Sequence, residues 1–172
     1  MTTIRATKVL PSATWDHARA ADRIALTHED RHRRRIVMKG EDGTSFLLDM
    51  ADAVHLRDGD GLVLDDGRIV CVAAAAEPVV EITGGAHLLA RIAWHIGNRH
   101  VPAQILPDRI RIGRDHVLEE MIAKLGARVT HTTASFDPEP GAYAGEAQRH
   151  GHGDDHSHDH GHSHPHGHRH EH

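Results

Sequence analysis

Residues 79–98 read Val-Val-Glu-Ile-Thr-Gly-Gly-Ala-His-Leu-Leu-Ala-Arg-Ile-Ala-Trp-His-Ile-Gly-Asn, and this stretch decides the class of fold. Its beginning, Val79 to Thr83, predicts a β-strand. From Ala86 to Gly97 the apolar side chains recur at the i, i+3, i+4 and i+7 spacing of one helix face; they are Leu88, Leu89, Ile92, Ala93 and Ile96. Gly97 and Asn98 are typical of a helix end. A strand followed by an amphipathic helix predicts a helix packed on a sheet.

The alternation of strand and helix continues beyond Asn98. The further predicted elements are strands at 103–106, 109–112 and 127–132 and a helix from its N-cap Asp115 to Leu125. The resulting order is β-α-β-β-α-β, which is typical of a ferredoxin-like domain. We place this domain at residues 77–149.

The residues before position 77 follow a different pattern. Short apolar runs alternate with turn signals such as Asp65-Asp66-Gly67, and Asp-Gly supplies the positive φ values that tight hairpins require. Strands are predicted at 4–10, 23–27, 35–39, 45–50, 62–64 and 68–73. Several short strands at this spacing predict a small all-β domain, a sandwich or an open barrel, at residues 1–76. The fold class is therefore α+β.

Composition excludes several classes of protein. The chain has 172 residues, a net charge of −5 and a single cysteine, Cys71, which cannot form an internal disulfide and lies in an apolar run that predicts a buried side chain. The net charge argues against nucleic acid as the main partner, and the basic run at 31–35 is interpreted as a solvated face or a strand start. With no apolar run of about 20 residues and no leader, we expect a cytoplasmic protein that does not bind membranes.

Histidines are concentrated at the C-terminus. Of the 20 in the chain, 11 lie in residues 150–172, where no hydrophobic residue can anchor a fold. This tail is expected to be disordered without metal. Imidazole suits nickel, copper and zinc, and a flexible chain can wrap several rings round one ion. A purification tag is the alternative, but the irregular mixture with Asp, Gly, Ser and Pro favours a metal-binding tail.

A second candidate site lies in the folded part, within the stretch Trp94-His-Ile-Gly-Asn-Arg-His-Val-Pro102. If the helix stops at Gly97, His95 and His100 need not share a face. His100 then lies just beyond the helix, where a rigid scaffold can expose its side chain. From the residues alone, a structural or merely solvated histidine remains the alternative.

The stretch 95–102, His-Ile-Gly-Asn-Arg-His-Val-Pro, resembles the signature of the UreE-type urease accessory proteins. The run at 109–121, and Gly141-Ala-Tyr143 ahead of a His-rich end, are similar to later blocks of that family. The resemblance implies a homodimer that delivers nickel to the urease apoprotein and works with the urease accessory GTPase complex. It also implies that His100 is the key ligand, one from each chain. Tail histidines would complete the shell, and His150 and His152 are the nearest of them.

The resemblance bears on two further histidines. Some family members use two histidines flanking an Asp as a peripheral site; this sequence has Arg114 at the first position and keeps His116 at the second. His116 is therefore a candidate ligand without its usual partner. His95 also matches the signature and serves either ligation or structure. In addition to nickel, zinc and copper are expected to bind, because imidazole suits all three metals. The implied role is carriage, not enzymatic catalysis, and no Walker motif is present.

Two other functions fit parts of the sequence. A metal storage or detoxification protein would act mainly through the tail and bind many ions per chain. A peptide-binding chaperone would use the β domain, bind an extended peptide and need no metal. These alternatives remain open at the level of sequence.

Overall fold

A computed structural model describes residues 3–140 of the chain. Within this range the strands form two sheets, one of six strands and one of four, and both α-helices lie between strands of the second sheet. The architecture is thus an N-terminal β domain followed by a C-terminal α/β domain, as the sequence predicts. The predicted tail, with His150 and His152, lies outside the described residues.

The N-terminal sheet has the spatial strand order β2-β6-β5-β1-β4-β3. Its strands are β1 (Arg5–Leu10), β2 (Asp22–Leu26), β3 (His32–Lys39), β4 (Ser45–His55), β5 (Gly61–Leu64) and β6 (Ile69–Ala74). All six predicted strands are present, but β3 begins three residues earlier than predicted and β4 continues past Met50. The added residues pair with each other, with His32 opposite His55, and form the outer end of a β3–β4 ribbon. Most of them are exposed, so hydrophobic periodicity gave no signal for them.

The two edges of this sheet approach each other at Asp22, in the first position of β2. Its carboxylate accepts hydrogen bonds from the backbone amides of Asp42 and Thr44, both at 2.9 Å, in the turn between β3 and β4. Burial by itself would raise the pKa of Asp22, but these bonds and one from the Arg23 amide outweigh it and lower the pKa to about 2. Of the two predicted forms, a single curled sheet of this kind corresponds to the open barrel.

Alternate side chains of the curled sheet fill the N-terminal core. The largest fully buried apolar residues there are Phe46, Leu48, Leu56, Leu62 and Leu64. They come from β4, β5 and the loop between them, where the sequence has Phe and Leu every second position. Cys71, on β6, is partly exposed, so the prediction of a buried cysteine is wrong.

The C-terminal domain has the element order β-α-β-β-α-β. Its elements are β7 (Ala76–Thr83), α1 (Ala86–Asn98), β8 (Ala103–Ile105), β9 (Arg109–Gly113), α2 (His116–Lys124) and β10 (Arg128–Ser135). The sheet order is β10-β7-β9-β8 with antiparallel neighbours throughout. The buried faces of the two helices, Ile92 and Ile96 on α1 and Leu118 and Ile122 on α2, pack on the sheet with Val80, Ile82, Ile110 and Ile112. These are the residues whose helical and alternating periods predicted the elements.

A buried arginine joins the chain after β10 to the N-terminal domain. The Arg31 side chain has no exposed surface, and its guanidinium donates to the Leu56 carbonyl at 3.2 Å, to the Phe136 carbonyl and to the Asp137 carboxylate. Arg57 donates to the other Asp137 oxygen at 3.0 Å. The basic run does begin a strand, but the reading of Arg31 as part of a solvated face is wrong. Its charge is matched by a carboxylate 106 residues away in sequence, which no local pattern reveals.

No helix within residues 3–140 is both long and apolar enough to cross a lipid bilayer.

Candidate metal centre

The C-terminal end of α1 is closed by two backbone hydrogen bonds that fix the position of His100. The His100 amide donates to the Gly97 carbonyl at 3.0 Å, and the Val101 amide donates to the Ile96 carbonyl at 3.4 Å. With Arg99 as the C-cap, these are the 5→2 and 6→1 bonds of a Schellman motif. Val101 packs against the same core as Ile96, which supplies the hydrophobic contact that usually accompanies this motif. His100 therefore occupies the position immediately after the cap.

That position demands a left-handed backbone, which is why glycine usually holds it. His100 has a φ of 54°, and it is the one non-glycine residue with positive φ in the part of the chain that the structure describes. Its side chain is exposed. A left-handed conformation costs an L-residue about 1–2 kcal/mol. A histidine held there at that cost, and in contact with solvent, is a candidate for function rather than for packing.

His95 lies one turn earlier, in the last turn of α1, and is half-buried. Its ring meets the neighbouring Trp94 edge-on, with 5.0 Å between the ring centres. The His95 carbonyl accepts a hydrogen bond from the Arg99 guanidinium at 2.9 Å. These contacts are structural, so the geometry of His95 fits a supporting role at least as well as ligation.

His116 is the first residue of α2 and is exposed. The preceding Asp115 caps the helix by accepting from the Leu118 amide at 3.0 Å. Arg114, which stands where a second peripheral histidine was expected, instead donates to Glu119 at 3.1 Å. The other Glu119 oxygen lies 2.6 Å from Nε2 of His131 on β10. Burial alone would raise the pKa of Glu119, but its hydrogen bonds to His131, Arg114 and the Asp115 amide lower it overall.

Two large apolar side chains, one on α1 and one on α2, are exposed. Trp94 is 64% exposed and Val117, on the first turn of α2, is 65% exposed. A shallow depression between the two helices is lined by Arg99, Val101, Asp115, Val117, Leu118 and Met121. A second, along α1, is lined by His87, Ala90, Arg91, Trp94 and His95. Exposed large apolar side chains grouped near one site are typical of a contact surface.

The folded part of one chain does not bring the predicted ligands together. Within residues 3–140, no three His, Cys, Asp or Glu side chains already stand in positions to hold a metal ion. His100, His95 and His116 therefore do not form such a group, and His150 and His152 lie outside the described range. Any complete coordination shell at His100 needs donors from another chain or from the tail.

Reasoning from the sequence missed the backbone conformation of His100 and the Arg114–Glu119–His131 chain of contacts. The helix was expected to end at Gly97, because glycine usually marks the left-handed position. The helix in fact includes Asn98, and the left-handed residue is His100. The sequence did contain a signal for this ending. The residues immediately after Asn98 include no glycine, and the apolar Val101 stands where a Schellman motif makes its hydrophobic contact.

Comparison with known proteins places both domains in one family. Residues 4–75 match the family described as UreE urease accessory protein, N-terminal domain, and residues 77–172 match the corresponding C-terminal domain. The urease accessory protein UreE of Bradyrhizobium sp. (strain ORS 278) is 56% identical over 149 residues, which are 86% of this chain and 70% of that protein. The same-named proteins of Chelativorans sp. (strain BNC1) and Rhodobacter capsulatus are 52% and 47% identical, over 87% of this chain and 90% and 93% of theirs. The chain therefore belongs to the UreE family of urease accessory proteins.

Proposed function

We propose that this chain is a nickel-binding metallochaperone that delivers nickel to the urease apoprotein while the urease active site matures. The observation that carries the proposal is His100, an exposed histidine fixed in a left-handed cap at the end of α1. Two hydrogen bonds hold the backbone there, so the imidazole is presented from a defined point. Its ring is exposed, so burial does not offset the cost of the left-handed backbone. Such an arrangement is suited to a ligand that must be accessible to incoming and departing ions.

A homodimer would give this site its second donor. The apolar side chains Trp94 and Val117 flank the end of α1 and would be covered if two copies met there. One imidazole from each chain leaves a nickel shell incomplete, and histidines of the tail, with His150 and His152 first, would close it. A shell that closes and opens fits carriage, because a fully enclosed ion is hard to pass on. Zinc or copper would bind the same donors, so nickel supply and partner contacts would decide what is carried.

The domain plan supports a division of roles within the same protein. The element order and the sheet order β10-β7-β9-β8 support a ferredoxin-like C-terminal domain, which we assign to metal binding and dimerisation. We assign the N-terminal domain, residues 1–76, to partner contacts, with the urease apoprotein and the accessory GTPase complex as the partners. The proposed location is the cytoplasm, and no catalytic step is assigned to the chain.

Native mass spectrometry of a chain ending at Arg149, titrated with nickel, tests the proposal. This shortened chain keeps both hydrophobic cores, which lie within the compact unit ending at Glu139. We expect one nickel ion per dimer, lost in His100→Ala and kept in His87→Ala, which removes an exposed histidine at the opposite end of α1. If His100→Ala retains the ion, the site at His100 is refuted. If the shortened chain retains no nickel, the tail is essential to binding and storage becomes the better interpretation.

Storage through the tail is the second candidate function, favoured by the 11 histidines of residues 150–172. It predicts that the full chain binds many ions and that His100→Ala changes that number little. It also predicts no faster activation of urease apoprotein by the nickel-loaded chain than by the same amount of free nickel. Faster activation that depends on His100 would favour delivery.

A further inference from the structure

Three histidines of the N-terminal domain lie together at the outer end of the β3–β4 ribbon, far in sequence from the motif around His100. The ring centres of His28 and His55 are 5.0 Å apart, and those of His32 and His55 are 5.7 Å apart. We propose that His28, His32 and His55 form a second site for a borderline divalent metal ion, with Zn²⁺ as its best fit. The proposal does not depend on the function of His100 or of the tail.

The first two histidines are placed by a turn and by the strand that follows it. The Arg31 amide donates to the Thr27 carbonyl at 3.1 Å, which is the i→i+4 bond of an α-turn that contains His28. His32 follows this turn as the first residue of β3. The sequence His28-Glu-Asp-Arg-His32 has the H-E-x-x-H spacing, but the second histidine lies on a strand and not on a helix. The pattern is short, so the proposal rests on where the third histidine lies.

The third histidine comes from the strand opposite. His55, the last residue of β4, is the direct cross-strand partner of His32, the first residue of β3. Two imidazoles bound to one tetrahedral ion at about 2.0–2.1 Å have ring centres roughly 5 Å apart. The observed separations of 5.0 and 5.7 Å are close to that value. Three imidazoles from a turn and two strands would leave one position for water, a donor set that suits zinc.

One donor atom in the cluster is already without a protein partner. Nδ1 of His28 is buried and has no hydrogen bond within the described part of the chain. Buried polar atoms in native proteins are nearly always paired, so an orphan nitrogen calls for a ligand or a water. The His28 ring is held in place by Phe136, edge-on at 5.3 Å, and its backbone amide donates to the Glu77 carboxylate at 2.7 Å. His28 is thus a positioned imidazole with one ring nitrogen that has no partner within residues 3–140.

The charged groups beside the cluster are two arginines and two carboxylates. Arg31 and Arg57 are close by, but both donate to the Asp137 carboxylate, and Glu77 adds a second negative charge beside His28. The three rings do not yet converge on a point. Convergence needs side-chain rotation of His32 and His55, and both are exposed, so rotamer changes there cost little. The site would close when the ion binds.

The test uses the chain ending at Arg149 with His100→Ala and His116→Ala, which removes the other candidate ligands except His95. Native mass spectrometry with Zn²⁺ should find one ion per chain. His32→Gln with His55→Gln should abolish that ion, because both rings are lost while the exposed strand pairing is kept. The matched control, His87→Gln with His131→Gln, removes two exposed histidines of the other domain and should leave the ion bound.

Zinc should also raise the melting temperature of the parent chain and leave that of the His32→Gln, His55→Gln variant unchanged, since an ion bound only to the folded state stabilises it. If the parent binds no zinc, or the double variant binds as much as the parent, the proposal is overturned. Should His100→Ala prevent folding, the same pair made with His100 intact must lower the zinc count by one per chain. An unchanged count would refute the second site and leave the proposed site at His100 untouched.

Discussion

The two helices of the C-terminal domain end in the same way, yet with different residues at the decisive position. After α2 the Gly126 amide donates to the Ala123 carbonyl at 3.0 Å and the Ala127 amide donates to the Ile122 carbonyl at 3.4 Å, which repeats the Schellman bonds that follow α1. The left-handed residue is Gly126, with φ of 96°, after α2 and His100, with φ of 54°, after α1. One fold thus contains the ordinary cap and a variant of it. The difference is an exposed imidazole in a left-handed position that a glycine holds after α2.

The largest effect should follow from making the α1 cap ordinary. In His100→Gly the chain ending at Arg149 should lose its nickel ion completely, while the free energy of unfolding rises by about 1 kcal/mol because the left-handed position no longer holds an L-residue. Native mass spectrometry and urea denaturation of the same samples measure the two changes. A variant that loses nickel and also becomes less stable would show that the His100 ring packs, and the comparison with Gly126 would fail.

A carboxylate that caps a turn should show the next largest effect, and it adds a pH dependence. Asp22→Asn keeps the shape of the side chain but removes the charged carboxylate that accepts from the Asp42 and Thr44 amides. The free energy of unfolding should therefore fall by roughly 2 kcal/mol near neutral pH. The folded pKa of about 2 lies below the ordinary 3.8, so this stabilisation is complete above about pH 5 and is lost as pH falls through 2. Urea denaturation of both proteins from pH 7 to 2 measures the difference.

The difference in unfolding free energy between parent and Asp22→Asn should therefore shrink between about pH 4 and 2. A difference that stays constant over this range would mean that the carboxylate is not the group that closes the sheet. Gly40→Ala is a matched test of the same contact, since its Cβ would clash with Oδ2 of Asp22. It should destabilise the protein at every pH.

The reverse exchange, at the end of α2, should have an intermediate effect. Gly126→His puts an L-residue at a φ of 96°, where nothing lies within 4 Å of the new Cβ, so the cost is that of the backbone alone. We expect a loss of about 1–2 kcal/mol in the free energy of unfolding and no change in nickel bound per dimer. Equal stability of parent and variant would mean that this fold places no penalty on an L-residue in the left-handed position. The backbone cost of His100 would then no longer support a functional role for it.

The sequence predicted the helices and strands correctly where buried residues recur at the spacing of a helix or a strand. Ile92 and Ile96 on α1, and Ile110 and Ile112 on β9, repeat at the spacing of their elements and pack as expected. Prediction failed where the extent of a strand depends on backbone pairing, or where the burial of a charged residue depends on a partner distant in sequence. The outer end of the β3–β4 ribbon is exposed and so has no apolar signal, and the burial of Arg31 depends on Asp137, which lies in another domain.

The candidate metal centre was likewise predicted only in part. The motif at 95–102 located His100 beyond a helix, because helix-ending residues are local, but the left-handed φ depends on how Val101 packs against the core. The His28–His32–His55 cluster was not predicted, since His55 is brought to His32 only by the strand register. The ligation by His150 and His152 stays a prediction, because those residues lie outside the described range.

The smallest effects should come from the beginnings of the same two helices. Asp115 caps α2 by accepting from the Leu118 amide, whereas Gly85 precedes α1 with no side-chain cap. Asp115→Ala should cost about 1 kcal/mol, and Gly85→Asp should add a few tenths of a kcal/mol, because glycine is already a tolerable N-cap and its Cβ position is open. Thermal and urea denaturation of the single and double variants would measure both, and additivity is expected for helix ends that share no contact. Because Asp115 caps the helix and His116 is the candidate ligand, the nickel count of His116→Ala, measured beside that of Asp115→Ala, separates the two roles of this turn. An unchanged nickel count would restrict the start of α2 to stability and leave the end of α1 as the metal-binding end of the domain.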